Sequence, residues 1–186
     1  MGNYFYLGAQ LPYLIYGQNP PMSSAAFKTL ARDQMGASDA WELDYCTLDP
    51  AAETDTDAAS PKAHCKMIKY WKEWENTLRL NIAKGRAQKL KRDGEILTDV
   101  PDDPVDAAAA AKAALAMESP LEAEIFLDKA RWDTIEEYQG TDVFSKNAMY
   151  AYLLKLLLME RRMAFNTEEG DSEYKALYAA ILGESK

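Results

Sequence analysis

One stretch, residues 60–94, constrains the fold of this chain more than any other. Its apolar residues recur at intervals of three or four, which places them on one face of an α-helix. These positions are Met67, Trp71, Trp74, Leu78, Ile82 and Gly85, with Tyr70 at the edge of the stripe. Ser60 before Pro61 is typical of a helix start, and Gly94 of a helix end. We predict one helix over residues 61–93, about 50 Å long, with a break near Gly85 as the alternative.

The same stretch is strongly basic although the chain is acidic. Residues 62–92 contain ten lysine or arginine residues and two acidic ones, a net charge of +8. The whole chain of 186 residues carries −9, so everything outside this stretch carries −17. Such asymmetry bears on binding partners rather than on fold. The residues that we expect to contact a partner are Lys66, Lys69, Lys72, Arg79, Lys84 and Arg86.

Three interpretations of this basic helix differ in what neutralises its charge. In the first, the charges are solvated or lie beside the acidic linkers that flank the helix, residues 49–60 and 95–103. In the second, the helix docks onto an acidic protein surface. A nucleic-acid partner is not expected, because the net negative charge of the chain would repel phosphates.

The first 48 residues predict a small helical lobe. The aromatic segment 3–16 predicts a short helix broken at Pro12 and tied into the core. Ser23 or Ser24 then predicts the start of a helix that ends near Gly36. A second short helix is expected from Ser38, so that the two form a hairpin.

Four further helices are predicted after the second linker. Residues 106–117 are rich in alanine and predict a helix that packs closely on a neighbour or is held loosely. Ser119, Pro120 and Glu122 form a helix-start signature, and Gly140 predicts the end of that helix. Residues 145–165 are apolar nearly all round, which indicates a central helix. A last helix is expected over residues 171–182.

Together these patterns predict an all-α helical bundle with one long central helix, a near-apolar core helix and helical-hairpin lobes. We expect a single domain over residues 1–186. Its lobes would be residues 1–48 and 119–186, bridged by the helix over residues 61–93. The chain is long enough to bury a core as one domain.

No pattern in the sequence predicts an enzyme, a cofactor or a metal site. His64 is the single histidine, and a helix would point it and Cys65 in different directions, while Cys46 is distant in sequence. The cysteines suit a reducing compartment, with a disulfide between them left open. No glycine-rich phosphate loop is present.

Two groups of charged residues on one predicted helix are candidates for a site. Asp128, Asp133, Glu136 and Glu137 are interpreted as a solvated face, because no Glu-x-x-His motif accompanies them. The sequence Arg131-Trp132-Asp133 is interpreted as helix packing, with a buried ion pair and aromatic anchor as the alternative.

No apolar run is long enough to span a membrane, since residues 148–159 contain Lys155 and are followed by three charged residues. The apolar N-terminus lacks the basic start of a targeting signal. A cytoplasmic protein is therefore expected, with peripheral association with the inner membrane through a partner complex as the alternative.

Several segments resemble a bacterial family whose genes lie in V-type ATPase operons of bacteroidetes and spirochaetes. The segments are residues 4–12 (YFYLGAQLP), 20–27 (PPMSSAAF), 70–90 (YWKEWENTLRLNIAKGRAQKL), 119–133 (SPLEAEIFLDKARWD) and 150–166 (YAYLLKLLLMERRMAFN). That family is likened to the funnel-shaped V/A-type ATPase component called C, or d in eukaryotes. The comparison includes the opening pattern of Tyr4, Tyr6, Leu7 and Ala9.

The resemblance implies a non-enzymatic role in a V-type ATPase. The funnel component is all-helical and joins the central rotor shaft to the membrane proteolipid ring. The expected partners are therefore stalk or membrane-ring subunits of the ATPase, and the expected role is a helical coupling element. The alternative is a free cytosolic helical adaptor or regulatory protein with a basic protein-docking helix.

Overall fold

The computed structural model describes residues 4–48, 65–90, 101 and 103–164. Its helices are α1 (Phe5–Gln10), α2 (Ser24–Gln34), α3 (Ala37–Glu42), α4 (Lys66–Lys89), α5 (Val105–Ala116), α6 (Pro120–Gln139) and α7 (Lys146–Met163). A short 3₁₀ turn, Leu43–Tyr45, follows α3. No strand occurs in this part of the chain. The all-α helical fold predicted from the sequence is confirmed.

The central helix α4 is shorter than predicted and is not broken. It begins at Lys66, because the backbone of Cys65 is extended (φ −71°, ψ 122°). It continues through Gly85 to Lys89, and its 24 residues span about 36 Å. The predicted bounds of 61 and 93 are therefore wrong for this helix. The predicted cap at Ser60 and Pro61 lies outside the described residues.

The apolar stripe predicted for α4 is buried, but its main packing partner is not α7. Met67, Trp71, Trp74 and Leu78 are all buried, whereas Tyr70 remains about half exposed. The helix packs chiefly on α5 and also on α6. The near-apolar helix α7 is therefore not the main partner of this stripe.

Hydrogen bonds from these two tryptophans fix α4 relative to its neighbours. The ring centroids of Trp71 and Trp74 lie 6.0 Å apart in a stacked arrangement. The Trp71 indole N–H donates to the Thr47 carbonyl oxygen at 3.2 Å. The Trp74 indole N–H donates to Asp106 Oδ2 at 2.6 Å. Both large rings are thus buried with their polar edges satisfied.

The alanine-rich helix α5 packs closely on α4 rather than being a loose spacer. Ala107, Ala111 and Ala114 are buried at its contact face. Gly85 of α4 completes this contact, because a Cβ atom at this position would overlap Cδ1 of Leu115. The absence of a side chain at Gly85 therefore lets Leu115 lie directly against the α4 backbone.

The last described helix, α7, is the core helix that the sequence predicts. Ser145 caps it by accepting a hydrogen bond from the Ala148 amide. Its buried residues include Met149, Tyr150, Leu153, Leu154, Leu156 and Leu158, and it packs on α6 and α2. It ends at Met163, two residues before the predicted end, and the predicted helix over 171–182 lies outside the described residues.

The remaining caps follow the sequence closely, with one exception. Ser23 caps α2, Ser119 caps α6 with Pro120 in its first turn, and Gly140 ends α6 at φ +75°. The second helix of the N-terminal hairpin begins at Ala37 with Gly36 as its cap, not at Ser38. The backbone of Gly36 is extended (φ −62°, ψ 145°), so the first helical residue is Ala37.

The N-terminal segment is tied into the core as expected. Leu7 of α1 is 1% exposed, and the Tyr4 amide donates to the Phe144 carbonyl oxygen at 2.7 Å.

Glu160 of α7 accepts hydrogen bonds from the Ser24 amide at 2.6 Å and the Ser24 hydroxyl at 2.7 Å. The described parts of the two predicted lobes therefore contact each other directly. The division into lobes stays a prediction.

The end of the second acidic linker lies against α4. Thr77 Oγ1 donates to the Asp103 carbonyl oxygen at 2.8 Å, and Asn81 Nδ2 donates to the Pro101 carbonyl oxygen at 3.1 Å. These contacts use backbone carbonyls and uncharged side chains. They therefore do not neutralise the cations of α4. The first acidic linker lies outside the described residues.

We predict that Gly85→Leu destabilises the protein by about 1–3 kcal/mol, because it overpacks the contact between α4 and α5. Combining it with Leu115→Ala should recover part of this loss, since the second change removes the obstructing side chain. Urea unfolding of both variants measures the effect. Gln88→Leu, at an exposed position of the same helix, is the control and should stay within about 0.5 kcal/mol of wild type. A Gly85→Leu variant as stable as this control would contradict the packing.

Candidate docking face and arginine cleft

The six predicted contact residues of α4 lie along two different lines of the helix. Lys72, Arg79 and Arg86 are spaced by seven residues, so they lie nearly above one another. Lys66 and Lys84 are five helical turns apart and share a second line. Lys69 lies between the two lines, three residues from Lys66 and three from Lys72. The sequence predicted a single basic face, and the helix geometry divides it into two groups.

The charges of the second line have few partners among the described residues. Lys66 is exposed and Lys84 is half-buried. The Lys69 side chain is 70% exposed and its Nζ lies 3.8 Å from Glu73 Oε1. An exposed pair of this length contributes little to stability. Lys66, Lys69 and Lys84, which we call the lysine face, therefore keep their charge available to a partner.

The first line is partly used within the protein. Lys72 Nζ lies 4.9 Å from the centroid of the Tyr45 ring. Arg79 donates from Nε to Glu75 Oε1 at 2.6 Å and from Nη2 to the Leu48 carbonyl oxygen at 2.6 Å. Arg79 therefore connects α4 to the segment that follows the 3₁₀ turn.

A buried ion network lies beneath Arg79. Arg131 of α6 donates from Nε to Glu75 Oε2 at 3.0 Å and from Nη2 to Glu75 Oε1 at 3.2 Å. Its Nη1 donates to Asp128 Oδ1 at 3.1 Å. The three side chains are only 4–6% exposed. This two-point pairing of a guanidinium with a carboxylate is the strong form of ion pair, and it joins α4 to α6.

Arg161 extends the network to α7. Its Nη2 forms a close ion pair with Glu124 of α6 and lies 3.9 Å from Asp128 Oδ1. Glu124 also lies 3.8 Å from Arg131 Nη1. Three helices are therefore connected by alternating guanidinium and carboxylate groups.

Burial shifts the proton affinities within this network. It raises the pKa of the Asp128 carboxyl above its ordinary value, although the neighbouring Arg131 guanidinium opposes the shift. It lowers the pKa of Arg161, against the attraction of Glu75. Both changes reflect the cost of placing charge away from water, so the network holds only while its partners are matched.

A cleft of about 550 Å³ opens above the network between α4, α6 and α7. We call it the arginine cleft. Its charged walls are Arg79 and Arg86 of α4, Glu124 and Arg131 of α6, and Arg161 of α7. Its apolar walls are Leu48, Ile82, Ala83 and Leu127. The volume is within the range of small-ligand sites in proteins.

A second polar cluster lies at the start of α7. Lys146 Nζ lies 3.2 Å from Asp39 Oδ1 and 3.4 Å from Glu42 Oε2. Tyr150 donates its hydroxyl to Glu42 Oε2 at 2.8 Å, and Tyr4 donates to Asp39 Oδ2 at 2.6 Å. Burial together with the Glu42 hydrogen bond raises the pKa of Tyr150. Burial opposes the charge of Lys146, but the two carboxylates outweigh it and raise the pKa of Lys146.

The sequence interpretations of the α6 charges are corrected in two places. Asp128 is buried, so it does not belong to a solvated face, whereas Asp133 is exposed and pairs with Lys129. Arg131 and Trp132 are buried, as expected for packing. The ion partners of Arg131 are Glu75 and Asp128, however, and not Asp133.

Sequence analysis did not single out Glu75, Glu124 or Arg161. The signal that could have found Glu75 is its place among the apolar positions of α4, one residue after Trp74 and three before Leu78. An acid at such a position must be paired when the helix is packed. Its partner lies 56 residues further along the chain, and the sequence has no pattern that connects the two.

The thiols are buried and unpaired with each other. Cys46 and Cys65 are free, and burial raises the pKa of the Cys46 thiol. Cys65 donates to Asn147 Oδ1 at 3.3 Å. His64 lies outside the described residues. Within the ranges that the structure describes, no group of three metal-ligating side chains is found.

Comparison with known proteins gives a partial family match. The family described as "Protein of unknown function (DUF2764)" matches residues 113–185. The match includes all of α6 and α7, with Glu124, Asp128, Arg131 and Arg161, and it excludes α4. No curated protein and no solved structure matches the chain. None of the helices described above is long and apolar enough to cross a membrane.

We predict that Arg131→Met destabilises the protein by about 3–5 kcal/mol, because it leaves Glu75 and Asp128 buried without their shared cation. Chemical denaturation measures the loss. Lys129→Met is the matched control on the same helix. It removes an exposed pair with Asp133 and should cost below about 1 kcal/mol. Equal losses in the two variants would contradict a stabilising role for the buried network.

Asp128 should make stability depend on pH with a defined sign. Its pKa is raised above 3.8, so the folded protein holds this proton more tightly than the unfolded chain. The contribution of Asp128 is therefore greatest below pH 3.8 and is lost as pH rises through the raised pKa. We expect the stability of wild type relative to Asp128→Asn to fall as pH rises from below 3.8 through the raised pKa. Urea unfolding of both proteins tests this, and a relative stability that rises with pH would contradict it.

Proposed function

We propose that this protein is a non-enzymatic accessory subunit of a V-type ATPase. In this role it is a helical coupling element between the central stalk and the membrane ring, similar to the funnel component of V/A-type ATPases. The resemblance of its packing segments to a family encoded in V-type ATPase operons supports the assignment. The all-α architecture agrees with an all-helical coupling element.

The observation that carries the proposal is the construction of α4. One side of this helix is fixed in the core by Trp71, Trp74 and Leu78, with both indole N–H groups bonded. The lysine face keeps its charges towards solvent, and the one acid that pairs with it among the described residues is Glu73 at 3.8 Å. A helix that is already ordered loses little conformational entropy when it binds.

The chemistry of the lysine face favours an acidic protein surface as its partner. Lysine charges at the rim of an interface accelerate encounter and set its register more than they increase affinity. Such contacts are screened by salt over about 8 Å at physiological ionic strength. The complex should therefore weaken as salt is raised, while the packed core of the protein stays intact.

The proposal is tested by isolating the tagged full-length protein from native membranes. We expect stalk or membrane-ring subunits of the V-type ATPase to be recovered with it. The triple variant Lys66→Gln, Lys69→Gln, Lys84→Gln should bind these subunits roughly tenfold more weakly, since each rim charge contributes a fraction of a kcal/mol. The matched control is Arg32→Gln, Lys112→Gln, Lys129→Gln, which removes the same charge elsewhere and should bind as wild type does.

Two results would overturn this assignment. One is recovery of an intact ATPase complex that lacks the protein. The other is recovery of the protein with unrelated soluble proteins and without ATPase subunits, which would favour a free helical adaptor. Equal binding by the two triple variants would reject the lysine face as the docking surface.

A further inference from the structure

The arginine cleft contains one cation that the internal network does not use. The guanidiniums of Arg79, Arg131 and Arg161 all have carboxylate or carbonyl partners. Arg86 lines the same cleft, is exposed, and its guanidinium has no hydrogen-bond or ion-pair partner among the residues described. Arg86 is therefore an available donor at the edge of an already charged site.

Counted over the residues that the structure describes, the guanidiniums that line the cleft outnumber by one the carboxylates that pair with them. Four guanidiniums, those of Arg79, Arg86, Arg131 and Arg161, face three carboxylates, those of Glu75, Glu124 and Asp128. A fifth guanidinium, that of Arg162, opposes the rise in the Asp128 pKa. It lies over the Tyr16 ring and does not line the cleft. A partly buried site with unequal charges favours an anion that restores the balance.

The walls of the cleft indicate what kind of anion fits. Ile82, Ala83 and Leu127 form an apolar side next to the guanidiniums. An anionic group attached to a short apolar stem would bury its methylenes there and present its oxygens to Arg86. The planar guanidinium donates two parallel hydrogen bonds to a carboxylate.

We propose that the arginine cleft is a binding site for a single carboxylate group, with Arg86 as its principal recognition residue. One carboxylate matches the one unengaged guanidinium, whereas a phosphate dianion would place a second negative charge beside Glu124, which lines the cleft. The carboxylate comes from an acidic side chain of a protein partner or from a free organic acid. The inference rests on the proposed function only for the first of these sources.

The test is a titration of the purified, isotope-labelled full chain, followed by NMR at constant ionic strength. The probes are sodium butyrate, N-acetylglutamate N-methylamide, sodium phosphate and sodium chloride. We expect both monocarboxylates to shift the amide signals of Ala83 and Leu127 saturably, with affinities in the millimolar range. Tighter binding of the glutamate derivative indicates a partner side chain as the source, and tighter binding of butyrate indicates a free acid.

Variants at one position separate recognition from general electrostatics. Arg86→Gln should weaken carboxylate binding at least tenfold, as expected for loss of a charged hydrogen bond. Arg86→Lys should keep part of the affinity. Lys112→Gln, at an exposed position of α5 that does not line the cleft, should bind as wild type does. The thermal midpoints of all three variants should match wild type, because neither side chain supports the fold.

The proposal is overturned if no probe saturates, if chloride gives the same shifts, or if phosphate binds more tightly than either carboxylate. Equal weakening by Arg86→Gln and Lys112→Gln also overturns it. These measurements need no ATPase subunit. A negative titration would therefore not contradict the proposed ATPase role. Absence of ATPase subunits from the isolated protein would likewise not contradict the carboxylate site.

Discussion

The guanidinium of Arg131 is the point on which the packing of α4, α6 and α7 depends. It is bound to Glu75 of α4 and Asp128 of its own helix, and Arg161 of α7 approaches the same acids. Buried ion pairs recover their desolvation cost only when the geometry is complete. The network therefore contributes less to net stability than to the choice of one arrangement, since a shift of any helix would leave a buried charge unmatched.

The polar cluster at the other end of α7 imposes a similar condition on the N-terminal elements. Glu42 is 3% exposed and receives both the Tyr150 hydroxyl and the Lys146 ammonium. Asp39 joins Lys146 to Tyr4, next to the start of α1. α7 is thus fixed at its start to α3 and at its end to α6 and α2. An apolar helix alone would not determine its rotation, and these polar contacts do.

Local chemistry allowed much of the fold to be predicted from the sequence. Ser23, Ser119 and Ser145 cap helices because a side-chain oxygen satisfies a free amide, and this depends on neighbouring residues only. The start of α4 differs from the prediction because Cys65 is extended, and this buried residue contacts Asn147, 82 residues away, which no local pattern shows. The site was missed for the same reason. Glu75 and Arg131 are far apart in sequence, so the position of each on its helix can indicate burial but cannot identify its partner.

The division of the α4 cations follows from how the helix is packed. A straight helix turns its residues to different sides, so a basic stretch of this length cannot present all its charges in one direction. On one side, Arg79 becomes part of the buried network and leaves Arg86 at the edge of the cleft. On the other side, Lys66 and Lys69 stay in solvent. The first arrangement suits recognition of one anionic group, because the unengaged Arg86 lies beside guanidiniums that are held in place. The second suits long-range attraction of an acidic surface, because its charges are mobile and hydrated. One helix thus provides two distinct electrostatic surfaces, and only the first is coupled to the packing of α6 and α7.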